Sequence, residues 1–186
     1  MKSSYATNNY GELFEAIVRV KQPSLIVEFG ILEGYSTTWF LKGLRTNGKG
    51  RLKSYDLFEE YSYRHARYHE ILHRFRTEIE DGILTVERGN YYEMVDRFED
   101  SSIPMIHVDI SNDGNTFDFF FAHYLRKLIP GGLAIMEGGG QERDKIEWMI
   151  KYNKRPIRPL LDSLDSSIHF IVLEPYPSIA LVWNHG

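Results

Sequence analysis

Apolar positions along the chain change their period again and again, and each change marks an element. Leu13, Phe14 and Ile17, joined by Val18 or Val20, recur at helical spacing over 10–20, and Pro23 ends that helix. The run 25–29 is nearly continuous in apolarity, as a strand covered on both faces should be. A helix over about 36–44 follows and is stopped by the turn residues Asn47-Gly48-Lys49-Gly50. The stretch 51–58 reads as a second strand that delivers a carboxylate, Asp56, to its end. Polar and aromatic residues then run from 61 to 76 with no Gly or Pro, so a helix is expected there. Asp81-Gly82 turns the chain into a third strand at 83–87, and a fourth covers 103–110. After a loop at 111–115, the spacing of 116–128 predicts a buried helix, and Pro130-Gly131-Gly132 feeds a fifth strand. A polar helix over 142–152, a break at 154–159 and two final strands at 168–174 and 178–183 complete the pattern. The short loop between those two forces them antiparallel.

Strand and helix alternate through five units, which predicts an α/β fold with a mostly parallel sheet. The 186 residues suit a single domain, 1–186, with no internal repeat or linker. Apolar content of 42% and charged content of 26% are ordinary for a globular chain, and no apolar run approaches the roughly 20 residues of a membrane span. Residues 1–5 lack the apolar core of a secretory signal, so a cytoplasmic location is expected. The absence of cysteine excludes disulfides, thiolate zinc sites and a cysteine nucleophile. A net charge of −4 offers nucleic acid or anionic lipid no long-range attraction, so neither is an expected partner.

Candidate chemistry starts where the first strand meets its helix, in Leu25-Ile26-Val27-Glu28-Phe29-Gly30-Ile31-Leu32-Glu33-Gly34-Tyr35-Ser36-Thr37-Thr38-Trp39. Such a turn lies at the carboxyl end of a parallel strand, where backbone N–H groups and the helix N-terminus favour an anion. Gly30 is placed to take φ > 0, and Gly34 to let a ligand approach the main chain. A plain strand-to-helix turn with a packing glycine is the alternative. Asp56 follows Gly34 by 22 residues, a separation at which nucleotide-binding α/β proteins hold a ribose diol; capping the next helix is its other possible role. Asn90 ends the third strand with a side chain that both donates and accepts, although Gly89-Asn90 is also common turn punctuation. Asp109 ends the fourth strand and shares a face with His107, which reads as a core histidine. His65, His69 and His73 recur every four residues; they read as solvated surface, with metal or acid/base work as the alternative.

The E-F-G-I-L-E-G-Y-S turn and the L-I-P-G-G entry to the fifth strand resemble the first motif and fifth strand of the class I S-adenosylmethionine (SAM)-dependent methyltransferases. Together with the I-H-V-D fourth strand, they are most similar to the small-molecule and sugar O-methyltransferases of macrolide and cephalosporin tailoring type. The resemblance implies a Rossmann-like fold with a seven-stranded, mostly parallel sheet, helices on both faces and a C-terminal antiparallel hairpin. It implies that Glu28, Gly30, Gly34, Tyr35 and Ser36 cradle the methionine part of SAM, that Asp56 holds the ribose and Asn90 the adenine, and that Asp109 contributes to the same cofactor. Asp109 and Glu137 become the candidates for a general base and for ligands of Mg²⁺.

Three departures from that pattern bear on these expectations. Leu32 stands where many relatives have glycine, Gly138 follows Glu137 where a further metal ligand is usual, and Asn112 replaces a histidine base. The implied reaction is methyl transfer to a small hydroxylated acceptor such as a sugar or polyol, with Tyr35, Tyr61, Tyr91 and Tyr92 available to its apolar face. A catalytically silent SAM- or nucleotide-binding module and an NAD-dependent oxidoreductase are the alternatives, the latter without a G-x-G-x-x-G motif. A homo-oligomer is compatible with the sequence.

Overall fold

The structure, a computed structural model, describes residues 3–184. Met1 and Lys2, part of the segment read for a signal, lie outside the described residues. Seven strands make a mixed sheet, and the chain divides between Met94 and Val95 into two compact units.

In the first unit, β1 (Leu25–Phe29), β2 (Arg51–Asp56) and β3 (Leu84–Arg88) run parallel in the order β3-β2-β1. Their registers pair Glu28 with Ser54 and Asp56 with Arg88. Helix α1 (Tyr10–Lys21) buries Phe14 and Val18 of its expected apolar face, leaves Leu13 and Ile17 half-buried and Val20 exposed, and packs on α2 (Tyr35–Asn47) with the Phe14 and Phe40 rings 5.2 Å apart. Each such side chain removed from water is worth about 1.5–3 kcal/mol, which fixes α2 and hence its N-terminus at the end of β1.

The expected helix over 61–76 is shorter and broken. Residues 61–67 are irregular, α3 covers Tyr68–Arg74, and α4 covers Arg76–Glu80 after an interruption at Phe75. The Glu59 carboxylate explains the late start. It accepts the Tyr68 N–H at 2.8 Å and pairs with Arg88 at 2.7 Å, so the helix begins where that acceptor stands. His65 therefore lies outside the helix, and the three-histidine face does not form; His65, His69 and His73 are all exposed.

In the second unit, β4 (Ile103–Val108) pairs in parallel with β5 (Leu128–Glu137), and β7 (Ile179–Asn184) runs antiparallel to both β5 and β6 (Ile168–Leu173). The Pro130-Gly131-Gly132 entry falls within a register shift of the β4–β5 pair. Helix α5 (Gly114–Phe119) starts at a capping box made by Asp113 and Thr116 and then widens into a π turn at Phe120–Tyr124. Its aromatic residues Phe117, Phe120 and Tyr124 are fully buried. The polar helix expected over 142–152 is reduced to a 3₁₀ turn at Arg143–Lys145 and α6 (Glu147–Lys151), and α7 (Arg158–Asp162) occupies part of the expected break.

Candidate functional site

Glu28 lies in β1 with no exposed surface, and a buried carboxylate needs partners. It has three. The hydroxyls of Ser36, Thr37 and Ser54 donate to it at 2.6, 2.7 and 2.6 Å. These short, charge-assisted bonds tie the first turn of α2 and the middle of β2 to β1. Glu28 and Ser36, both expected to touch the cofactor, therefore act first as a clamp on the turn that would hold it.

The turn between β1 and α2 is shaped by backbone strain and by Asp56. Gly30 has φ 91° and donates its N–H to the Tyr55 carbonyl at 2.8 Å. Leu32 takes φ 42°, a left-handed conformation that a branched side chain rarely adopts. Asp56 compensates for it: Oδ2 accepts the N–H groups of Ile31 at 2.8 Å and Leu32 at 3.3 Å, while Oδ1 accepts that of Phe58 at 2.8 Å. The carboxylate thus faces the glycine turn, as its spacing implied, and it pins the main chain there. Of the roughly four lone-pair positions of a carboxylate, three have donors, so a ribose hydroxyl would have to share or displace one.

Gly34 is a place of close approach, and a side chain of the protein itself makes it. Its φ is 80°, and a Cβ there would stand 2.4 Å from Cε2 of Phe75. The close approach that this glycine permits is made by the Phe75 ring. Arg74 adds a hydrogen bond to the Glu33 carbonyl, so the end of α3 is fastened along the turn. As N-cap of α2, Gly34 offers no side-chain acceptor, which leaves first-turn N–H groups to water or an anion. Tyr35 is half-buried beside them, its ring 6.4 Å from that of Trp39.

Asn90 is used locally. Its Oδ1 accepts the Tyr92 N–H at 3.1 Å, and its Nδ2 donates to Glu93 at 2.9 Å, which makes it the cap of a 3₁₀ turn. Tyr91 is buried edge-on against Phe29 at 5.1 Å, so its ring belongs to the core, whereas Tyr92 is exposed.

Asp109 is half-buried just past β4. His107 is wholly buried in that strand, as read. Asn112 is a strand stitch: Nδ2 donates to the carbonyls of Val108 at 2.8 Å and Glu137 at 2.9 Å, and Oδ1 accepts the Ile110 N–H at 3.3 Å. That task joins the ends of β4 and β5, and an imidazole could not reproduce it.

Glu137 departs furthest from expectation. Its carboxylate grips Arg143 through both oxygens, from Nε at 2.7 Å and Nη2 at 3.0 Å, and Nη2 also donates to the Asn112 carbonyl at 2.9 Å. Burial works against the Arg143 charge, but the hydrogen bonds and charge of Glu137, with Tyr176 and Asp109 adding to the field, prevail and hold its pKa above the usual arginine value.

These features meet in a recognisable family. Residues 27–137 match the methyltransferase domain family. The chain belongs to it. No curated protein matches the chain. Among solved structures, it resembles the O-methyltransferase TomG of Streptomyces achromogenes, involved in tomaymycin synthesis and solved with SAM, at TM-score 0.71 and 16% identity over 96% of this chain and 80% of that one. It also resembles the Bacillus cereus O-methyltransferase solved with S-adenosylhomocysteine (SAH), at 0.69 and 17% over 95% and 80%. SAH-bound PaMTH1 of Podospora anserina aligns at 0.65 and 16% over 100% and 80%. At these identities the likeness is one of fold, and it is the Rossmann-like fold that the motifs implied.

Mg²⁺ does not fit the residues present. A hard cation needs several free oxygen ligands, yet Glu137 is already paired with a guanidinium, and among the described residues no group of three His, Cys, Asp or Glu could hold a metal. Arg143 escaped the sequence reading. The only signal was an arginine six residues beyond a strand-end acid, across a run of three glycines.

Proposed function

We infer that this methyltransferase-family chain moves a methyl group from SAM to a hydroxyl of a small molecule. The observation that carries the reading is the Asp56-pinned turn leading into the uncapped N-terminus of a 13-residue helix, a cradle of backbone donors suited to the carboxylate of an amino-acid tail. In the reaction, the acceptor O–H bond breaks and its oxygen bonds to the methyl carbon. The carbon–sulfur bond of the sulfonium breaks, and its electron pair stays on sulfur. Asp109 is the proton acceptor assigned by this reading, since Glu137 is committed to Arg143. Such chemistry rests mainly on alignment, with the base needed only for an acceptor that must lose its proton.

Calorimetric titration of the full chain with SAM and with NAD, side by side, tests the cofactor. Heat from SAM and none from NAD is expected; the reverse would sink the reading. Mass spectrometry of a hydroxylated acceptor panel then reads transfer, and SAM binding with no methylated product would make the chain a silent binding module.

A further inference from the structure

Three hydrogen bonds fix the guanidinium plane of Arg143, and all of them use Nε and Nη2. Its Nη1 is buried and has no hydrogen-bond partner. The side chain is only 6% exposed, so this is a charged donor withheld from water without an acceptor in return. An unsatisfied group of that kind is rare in a folded chain and asks for an explanation. A half-buried ring lies against the guanidinium. Trp148 lies 5.4 Å from the guanidinium carbon and is itself approached by Lys154 Nζ at 5.0 Å. A ring held by cation–π contacts and a ring contact with Tyr152 at 6.5 Å is displaced more readily than a hydrogen-bonded neighbour. The charge itself is secure, because Glu137 keeps it ionised.

We propose that Arg143 is the resident cation of the acceptor subsite, donating its unpaired Nη1–H to an ionised hydroxyl oxygen of the acceptor once Trp148 moves aside. Arg143 then occupies the position in which the resemblance implied Mg²⁺ and does that ion's electrostatic work, lowering the cost of the oxyanion. The chemical class selected is an acidic hydroxyl, such as that of a phenol or an enol, rather than an unactivated sugar alcohol. The proposal rests on the methyl-transfer reading for its meaning.

The probe is 4-nitrophenol, whose ionised form is coloured, with its methyl ether 4-nitroanisole as the form that cannot ionise. Both are titrated into the full chain saturated with SAH, in EDTA. Bound 4-nitrophenol is expected to ionise at lower pH than the free compound and to bind at least about tenfold more tightly than the ether, as one charge-assisted hydrogen bond allows. Arg143→Lys and the paired Glu137→Met/Arg143→Met variant, which leaves no lone buried charge, should both lose the shift and keep SAH affinity. The proposal is overturned by an unmoved ionisation in the wild-type chain, by a shift that persists in either variant, or by phenolate binding that appears only when Mg²⁺ replaces EDTA. The phenol titration is repeated without SAH, so a wild-type chain that shifts the phenol but binds no SAH would count against the methyl-transfer reading and not against this proposal.

Discussion

Asp56 Oδ2 accepts the Ile31 N–H at 2.8 Å across the gap between the ends of β2 and β1. One side chain thereby holds the shape of the turn in which the proposed function seats SAM, so removing it has two effects. Asp56→Ala leaves the N–H groups of Ile31, Leu32 and Phe58 without their acceptor. Unfolding in urea should show a loss of about 1–3 kcal/mol, and SAM affinity should fall with it. Asp56→Asn retains one acceptor oxygen and should recover part of the stability. A variant of unchanged stability would mean that the turn holds its own shape.

Glu28 should be costlier to lose. Glu28→Ala strands three buried hydroxyls and opens a cavity, for which a loss above about 3 kcal/mol is expected by chemical denaturation. Glu28→Gln keeps one acceptor and lets a hydroxyl rotate to accept, so it should cost less than half as much. Equal losses in the two variants would show that the full carboxylate acceptor, and not the shape of the side chain, governs the site.

The features that could be read in the sequence are those encoded locally. The strand 25–29, the two glycines and the Ser/Thr cluster stand within fifteen residues, and they gave strand, turn and helix in the right place. The Asp56 carboxylate turned toward that loop because parallel strands of fixed length bring their ends together. What escaped depends on partners far along the chain. The irregular 61–67 segment follows from Glu59 pairing with Arg88, 29 residues away, and no helical period encodes that contact. Arg143 becomes a buried ion-pair partner only because β5 ends at Glu137 and three glycines let the chain fold back. Gly34 was legible as a place of close approach; that Phe75 makes the approach was not.

Gly34 and Phe75 should be strongly coupled. Gly34→Ala meets both a φ of 80° and the Phe75 ring, a combination expected to cost about 2–4 kcal/mol. In the Phe75→Ala background the steric part disappears and only the backbone strain, about 1–2 kcal/mol, should remain. A double-mutant cycle by thermal unfolding measures the difference, and additive effects would mean that the ring yields without cost. If SAM occupies the same approach, Phe75→Ala should also raise its affinity, which calorimetry reads independently.

Glu59 offers a test at acid pH. Its own backbone N–H, the Arg88 side chain and the Tyr68 N–H all favour the ionised carboxylate, pulling its pKa down to about 2 from an ordinary 4.5. A carboxyl depressed on folding contributes stability that is complete above its unfolded pKa and is lost as pH falls through the folded one. The start of α3 should therefore hold at pH above about 4.5 and loosen between there and about 2. Because Glu59 is on the surface, the effect belongs to the local segment and not to global unfolding. Carbon-detected titration should place its carboxyl near 2, and the Tyr68 amide should lose exchange protection over the same interval. In Glu59→Gln that protection should be low at every pH, since the amide oxygen attracts Arg88 far less. A carboxyl that titrates at its ordinary value, or a Tyr68 amide indifferent to the substitution, would show that α3 starts at Tyr68 for a reason other than this cap.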